Sequence, residues 1–124
     1  MRPYAGPVAI LVDEMSASTT EFFAAGLQEV GRARIFGART SGQALPAQLT
    51  SLPNGDVLYH AVADFTTPKG VRMEKDGVAP DDATPLTRRD LLAGRDAQLE
   101  AALAWIARQP RAARPSATAQ PSGR

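Results

Sequence analysis

The chain has 124 residues, 44% of them hydrophobic, and a net charge of +1, as expected of one modest globular domain with a single core. With no cysteine, disulfides, thiolate metal sites and a cysteine nucleophile are excluded. No apolar run reaches the ~18 residues that span a bilayer, and Met1 to Pro7 lacks the apolar stretch of a signal peptide. Of the 14 Lys/Arg, Arg111, Arg114 and Arg124 fall in the tail, leaving residues 1–108 slightly acidic against 13 Asp/Glu. That is not the footprint of a nucleic-acid binder.

Val8 to Val12 is a continuous apolar run and predicts a strand buried on both faces. Glu21 to Val30 carries a helical pattern, with Phe22, Gly26 and Val30 on one face and Phe23 and Leu27 beside it. Gly31 is placed to end that helix. Arg34 to Phe36 predicts a second strand, so the order strand, helix, strand favours a right-handed crossover onto a parallel sheet. Ala44 to Leu52 and Val57 to Phe65 predict a hairpin closed at Asn54-Gly55. The apolar side of its return strand is Val57, Tyr59, Ala61, Ala63 and Phe65.

Thr67 to Gly70 predicts a turn, Val71 to Glu74 a short extended piece, and Asp76 to Pro85 a loop. Thr87 is expected to cap a brief helix through Leu92 that ends at Gly94. Asp96 is expected to cap a helix from Ala97 to Arg108 whose buried side is Leu99, Ala102, Leu103 and Ile106. Residues 109–124, rich in proline and poor in apolar side chains, are expected to be disordered. The domain is therefore expected to occupy residues 1–108.

The junction at Ser18 carries the most chemistry. A hydroxyl where a buried strand turns into a helix stands beside unpaired N–H groups that favour an anion. Ser18-Thr19-Thr20-Glu21 also fits the S/T-x-x-E capping box, a purely structural use of the same residues. His60, the one histidine, is out of phase with the apolar side of its strand and reads as exposed. Lys69 and Lys75, the only lysines, lie in polar turns and read as solvated charge. Asp76, Asp81 and Asp82 form an acidic loop without the spacing of a calcium site. Gly37 to Gly42 lacks the lysine of a phosphate loop.

The run Asp13-Glu14-Met15-Ser16-Ala17-Ser18-Thr19-Thr20-Glu21-Phe22-Phe23-Ala24-Ala25-Gly26-Leu27-Gln28 resembles the nucleophile segment of the tail-specific, or C-terminal processing, serine peptidases. The resemblance continues through Gly31-Arg32-Ala33, Gly37-Ala38-Arg39-Thr40-Ser41-Gly42, Leu52-Pro53-Asn54-Gly55, Thr67-Pro68-Lys69-Gly70 and Gly77-Val78-Ala79-Pro80-Asp81, and so covers about residues 7 to 108. It implies an α/β fold of the Clp-protease/crotonase type, of which this chain is the C-terminal half of a catalytic domain. Its first strand would then pair with a neighbour from an N-terminal half or from another copy in a homo-oligomer.

The resemblance also implies roles. Ser18 falls at the nucleophile and Thr19 supplies a backbone oxyanion donor. Gln43 follows Thr40-Ser41-Gly42, where many members carry a lysine base, and Ala47 stands where they carry a supporting glutamine, with Gln48 one position off. Some members take a histidine from upstream and a glutamate from downstream, and Glu74 resembles that glutamate. The implied substrate is the C-terminal tail of a peptide or protein, with no cofactor, no metal, no nucleic acid and no membrane segment in the chain. Location would be extracytoplasmic, periplasmic or membrane-associated, if the whole protein follows the family. With Gln43 in place of a base, the chain is expected to be inactive or incomplete alone. The alternative is a non-catalytic module that takes up an extended peptide by strand addition.

Overall fold

The computed structural model describes residues 3–110. Eight elements follow in order: β1 (Ala9–Val12), α1 (Thr19–Glu29), β2 (Arg34–Gly37), β3 (Ala47–Ser51), β4 (Val57–Ala61), β5 (Asp82–Ala83), α2 (Arg88–Leu92) and α3 (Ala97–Arg108). β1, β2 and β5 form a three-stranded sheet in that spatial order. β1 and β2 run parallel with Ile10 opposite Ile35 and Val12 opposite Gly37. The strand–helix–strand crossover is thus present as expected. β3 and β4 make a separate antiparallel hairpin in which Leu49 faces Tyr59, and Gly55, at φ 91°, turns its loop.

Neighbouring side chains on a strand point to opposite faces, and β2 shows the consequence. Ile35, fully buried, joins Val12, Ala24 and Ala33 in one core cluster, with Ile10 and Leu27 packed on it. Phe36 points the other way and meets the Trp105 ring of α3 at 5.8 Å. The sheet is therefore covered by α1 on one face and α3 on the other, the layering of an α/β domain. A second cluster, Ala25, Ala44, Met73 and Val78 with Phe22 against it, ties α1 to the loops that follow β2 and the hairpin.

Several expectations are corrected. Asp76 to Pro85 is not all loop, since Asp82 and Ala83 pair in parallel with Phe36 and Gly37. A two-residue strand carries too little pattern to be seen among Asp, Pro and Gly. Val71 to Glu74 forms only an isolated bridge between Thr66 and Arg72. On α1 the buried residues are Glu21, Ala24 and Ala25, while Phe23 and Val30 are exposed, because the small side chains let the helix approach the sheet closely. On α3 Ala102 is buried but Leu99 and Leu103 are exposed. The tilted contact of Trp105 with Phe36, 54° between the ring planes, sets the rotation of that helix. The apolar side of β4 is also exposed, Tyr59 at 71%. The sequence from Arg111 onward, where most of the disordered tail was expected, lies outside the described residues.

Candidate active site

β1 delivers the chain to a tight turn. Asp13 Oδ1 accepts the Met15 N–H and the Ser16 hydroxyl, each at 3.0 Å, and Ser16 Oγ accepts the Asp13 N–H at 3.1 Å. α1 then begins at Thr19, and Ser18 between them is exposed with φ 57° and ψ −129°. A non-glycine residue held in such a conformation stores ~1–3 kcal/mol and persists only where its surroundings over-determine it.

Those surroundings are specific. The Ser18 N–H lies 3.0 Å from the Gln43 carbonyl and 3.0 Å from Glu21 Oε2. The Ser18 carbonyl accepts the Glu21 N–H at 2.9 Å. The expected Ser18–Glu21 capping box is present, its glutamate half at 3.0 Å, while the shortest bond of the Glu21 N–H is to the Ser18 carbonyl. The backbone of Ser18 is engaged and its hydroxyl is left at the surface. Thr19, as the first helical residue, carries one of the N–H groups that no helical carbonyl accepts.

Glu21 itself is fully buried, a position the sequence pattern assigned only to a cap. Its Oε1 accepts from Thr40 Oγ1 at 2.5 Å and from the Gly42 N–H at 2.8 Å, and its Oε2 from the Gln43 N–H at 3.0 Å. With Ser18, four donors face one carboxylate, and among the described residues no cation pairs with it. Burying a charge is tolerable only when it is hydrogen-bonded in this way, and bonds to a charged group contribute ~1.5–3 kcal/mol each. A glutamate flanked by Phe22, Ala24 and Ala25 on a helix packed against a sheet was the available signal.

The 40–44 loop is gripped from its other side as well. Ala44 N–H donates to Glu74 Oε2 at 2.9 Å, so Gly42, Gln43 and Ala44 in succession give their N–H groups to carboxylates. Val78 N–H donates to Thr40 Oγ1 at 2.7 Å, and Lys75 N–H to the Gly42 carbonyl at 2.8 Å. This close approach needs glycine: a Cβ on Gly42, at φ 68°, would stand 2.7 Å from the Lys75 carbonyl carbon.

Ser18, Gln43, Glu74 and His60 all border one open depression of about 300 Å³. The structure therefore brings together every sequence-predicted site residue with a side chain in play. His60 corrects the sequence reading in part. It is half-buried, with Nε2 3.0 Å from Thr50 Oγ1 and Nδ1 3.3 Å from the Ala61 carbonyl, because Thr50 and His60 are diagonal neighbours on one face of the hairpin. Lys69 is remote. Its Nζ donates to the Glu29 carbonyl at 3.2 Å, at the C-terminal end of an 11-residue helix that is about 16 Å long and starts beside Ser18.

The acidic loop has structural duties. Asp81 accepts from Ile35 N–H and Gln28 Nε2. Asp82 pairs with Arg34 at 2.5 Å, which holds the Asp82 carboxyl below its ordinary value. A larger cavity of about 590 Å³ lies at the other end of the strands, around Arg32, Asp81 and Trp105, and no serine or threonine lines it.

A serine at positive φ on a strand-to-helix turn, beside a helix N-terminus, has the geometry of a serine hydrolase's nucleophile elbow. The model of peptidase family S41 matches residues 2–84, and the chain belongs to that family. It is 37% identical over 79 residues to a carboxyl-terminal-processing protease of Picosynechococcus sp., covering 64% of this chain and 19% of that protein. It is also 37% identical over 75 residues to carboxyl-terminal-processing peptidase 3, chloroplastic, of Arabidopsis thaliana, covering 60% and 14%. Among solved structures it is similar to a photosystem II D1 C-terminal processing protease, with a TM-score of 0.60, 36% identity and coverage of 65% of this chain and 21% of that one. It also resembles the tricorn protease, with a TM-score of 0.70, 26% identity and coverage of 82% and 10%. The chain thus spans about a fifth or less of the length of these relatives. Both matched structures support the α/β fold, and the curated relatives are processing peptidases.

Proposed function

We propose that these residues form the nucleophile side of a serine peptidase catalytic domain of the Clp-protease/crotonase type, the domain occupying residues 1–108. Ser18 Oγ attacks the carbonyl carbon of a peptide bond, and its proton passes to a base. The Thr19 N–H stabilises the oxyanion that forms, an interaction worth ~3–4 kcal/mol when preorganised. The tetrahedral intermediate collapses to an acyl-enzyme with release of the protonated amine, and water then hydrolyses the ester. A processed C-terminal tail is the substrate class carried by the names of the relatives, and an extracytoplasmic or lumenal setting goes with it.

The base is the distinguishing point. Gln43 occupies the lysine position, and an amide accepts no proton at neutral pH. The reading supported best is a Ser-His-Glu form in which a histidine outside these 124 residues takes the proton and Glu74 orients it. Glu74 borders the depression beside Ser18, with Oε2 committed to Ala44 N–H. The second reading, a peptide-binding module of the same fold, is favoured only by Gln43.

The observation that carries the proposal is Ser18, exposed, at positive φ and bonded through its backbone to Gln43. The purified 124-residue chain is expected to turn over peptides weakly, and to gain activity when a histidine-bearing upstream region of the full-length protein is supplied. Robust turnover by the chain alone, abolished by Ser18→Ala, would overturn the external base. Full-length protein that stays inactive and unlabelled by serine-directed acylating probes would favour the binding module.

A further inference from the structure

We infer that Glu21 is a positioning residue: its one buried carboxylate holds Ser18 in its positive-φ conformation and sets the spacing between Ser18 and Gln43. The functional meaning rests on Ser18 as nucleophile, but the geometric claim stands on its own. Oε2 receives the N–H groups of Ser18 and Gln43, both at 3.0 Å, and so bridges the two sides of the depression. Oε1 receives Gly42 N–H and the Thr40 hydroxyl. Thr40 Oγ1 already accepts Val78 N–H, which leaves its own proton for Glu21.

Every group facing Glu21 is therefore a donor, so this carboxylate cannot be exchanged for an amide of equal size. An amide would turn an NH₂ group toward the Ser18 and Gln43 donors or toward the Thr40 and Gly42 donors, and one side would come apart. An ordinary capping box needs none of this. It joins only the first and fourth positions of the turn, as Ser18 and Glu21 do, and it needs no donors from a loop some twenty residues on. Glu21 is the member of the turn that reads the position of the 40–43 loop and passes it to the Ser18 backbone.

The test compares Glu21→Gln with Ile35→Val, a change in the Val12–Ala24 core cluster that lowers stability without touching the carboxylate. Backbone amide resonances of Ser18, Gly42 and Gln43 are followed by NMR, and Ser18 labelling by a fluorophosphonate probe is followed in the same samples. In Glu21→Gln the three resonances are expected to shift and the labelling rate to fall roughly 10- to 100-fold, the scale of a ~1 Å misplacement. Ile35→Val is expected to keep both near native. Unmoved Ser18 and Gln43 resonances, or equal losses of labelling in the two variants, overturn the inference. Should Glu21→Gln fail to fold, Glu21→Asp keeps the charge but is one methylene short of reaching both loops. Native-like Ser18 and Gln43 resonances in that variant overturn the inference equally. If the full-length protein, with its own base, is not labelled at all, the nucleophile reading fails instead, and the resonances alone decide the role of Glu21.

Discussion

The N–H of Ser18 donates to the carbonyl of Gln43 at 3.0 Å, so two residues far apart in sequence are locked backbone to backbone beside one depression. The side chain at position 43 leaves a main chain that Glu21 and Glu74 hold on either side. An amine placed there by Gln43→Lys is expected to activate Ser18. Fluorophosphonate labelling should accelerate over the native chain and rise with pH as the amine deprotonates, since a neutral lysine is the competent base. A labelling rate equal to native from about pH 6 to pH 10 would contradict the proximity that the backbone bond describes.

Gly42 and Gly77 interlock the loop and the turn. A Cβ on Gly42 would lie 2.7 Å from the Lys75 carbonyl carbon, and one on Gly77 would lie 2.5 Å from the Thr40 carbonyl oxygen. Gly42→Ala is expected to cost ~1–3 kcal/mol in overpacking beyond the strain of a left-handed alanine. Gly55→Ala supplies the control, because Gly55 also has positive φ but nothing within 4 Å of its Cβ. Urea unfolding should separate the two. Equal losses would show that the close approach at Gly42 is not limiting.

The Arg34–Asp82 pair stitches β5 to β2. Its hydrogen bond to Arg34 is the main cause holding the Asp82 carboxyl below the ordinary 3.8, with the Arg34 and Arg108 charges adding to it. A carboxyl depressed by folding stabilises the fold above its unfolded value, and that contribution is lost as pH falls through the folded value. The window is therefore below about pH 4. Because both side chains are about two-fifths exposed, the effect is small and screened by salt. Asp82→Asn is expected to flatten the acid limb of stability against pH in low salt. An unchanged limb would remove Asp82 from the account.

The rotation of α3 is tested by two neighbours. Leu103 is 54% exposed and Ala102 only 3%. Leu103→Gln is expected to change stability by less than about 0.5 kcal/mol, whereas Ala102→Leu forces extra volume against the sheet at a cost of ~1–3 kcal/mol. Trp105, packed against Phe36, reports unfolding by its fluorescence. The reverse order of costs would restore the leucine stripe to the core.

The strand–turn–helix at Ser18, the parallel crossover, the Asn54-Gly55 hairpin and both helix caps at Thr87 and Asp96 were legible in the residues. Each is governed by local chemistry: apolar runs, turn formers and side chains that cap the helix a few positions away. The family was legible too, through motifs in order. What escaped was every choice made by distant partners. Glu21 read as a cap because the pattern S/T-x-x-E says nothing of Thr40, Gly42 and Gln43. Leu99 and Leu103 read as buried because helical periodicity gives a stripe but not the angle at which Trp105 turns it toward Phe36. Asp82 and Ala83 read as loop because so short a strand exists only by virtue of the neighbour it pairs with. Sequence alone thus determined the elements other than β5 and the place of Ser18 at the strand-to-helix turn. Only the tertiary structure decided its backbone strain and its distance from residue 43, because a buried charge must find its donors wherever the chain brings them.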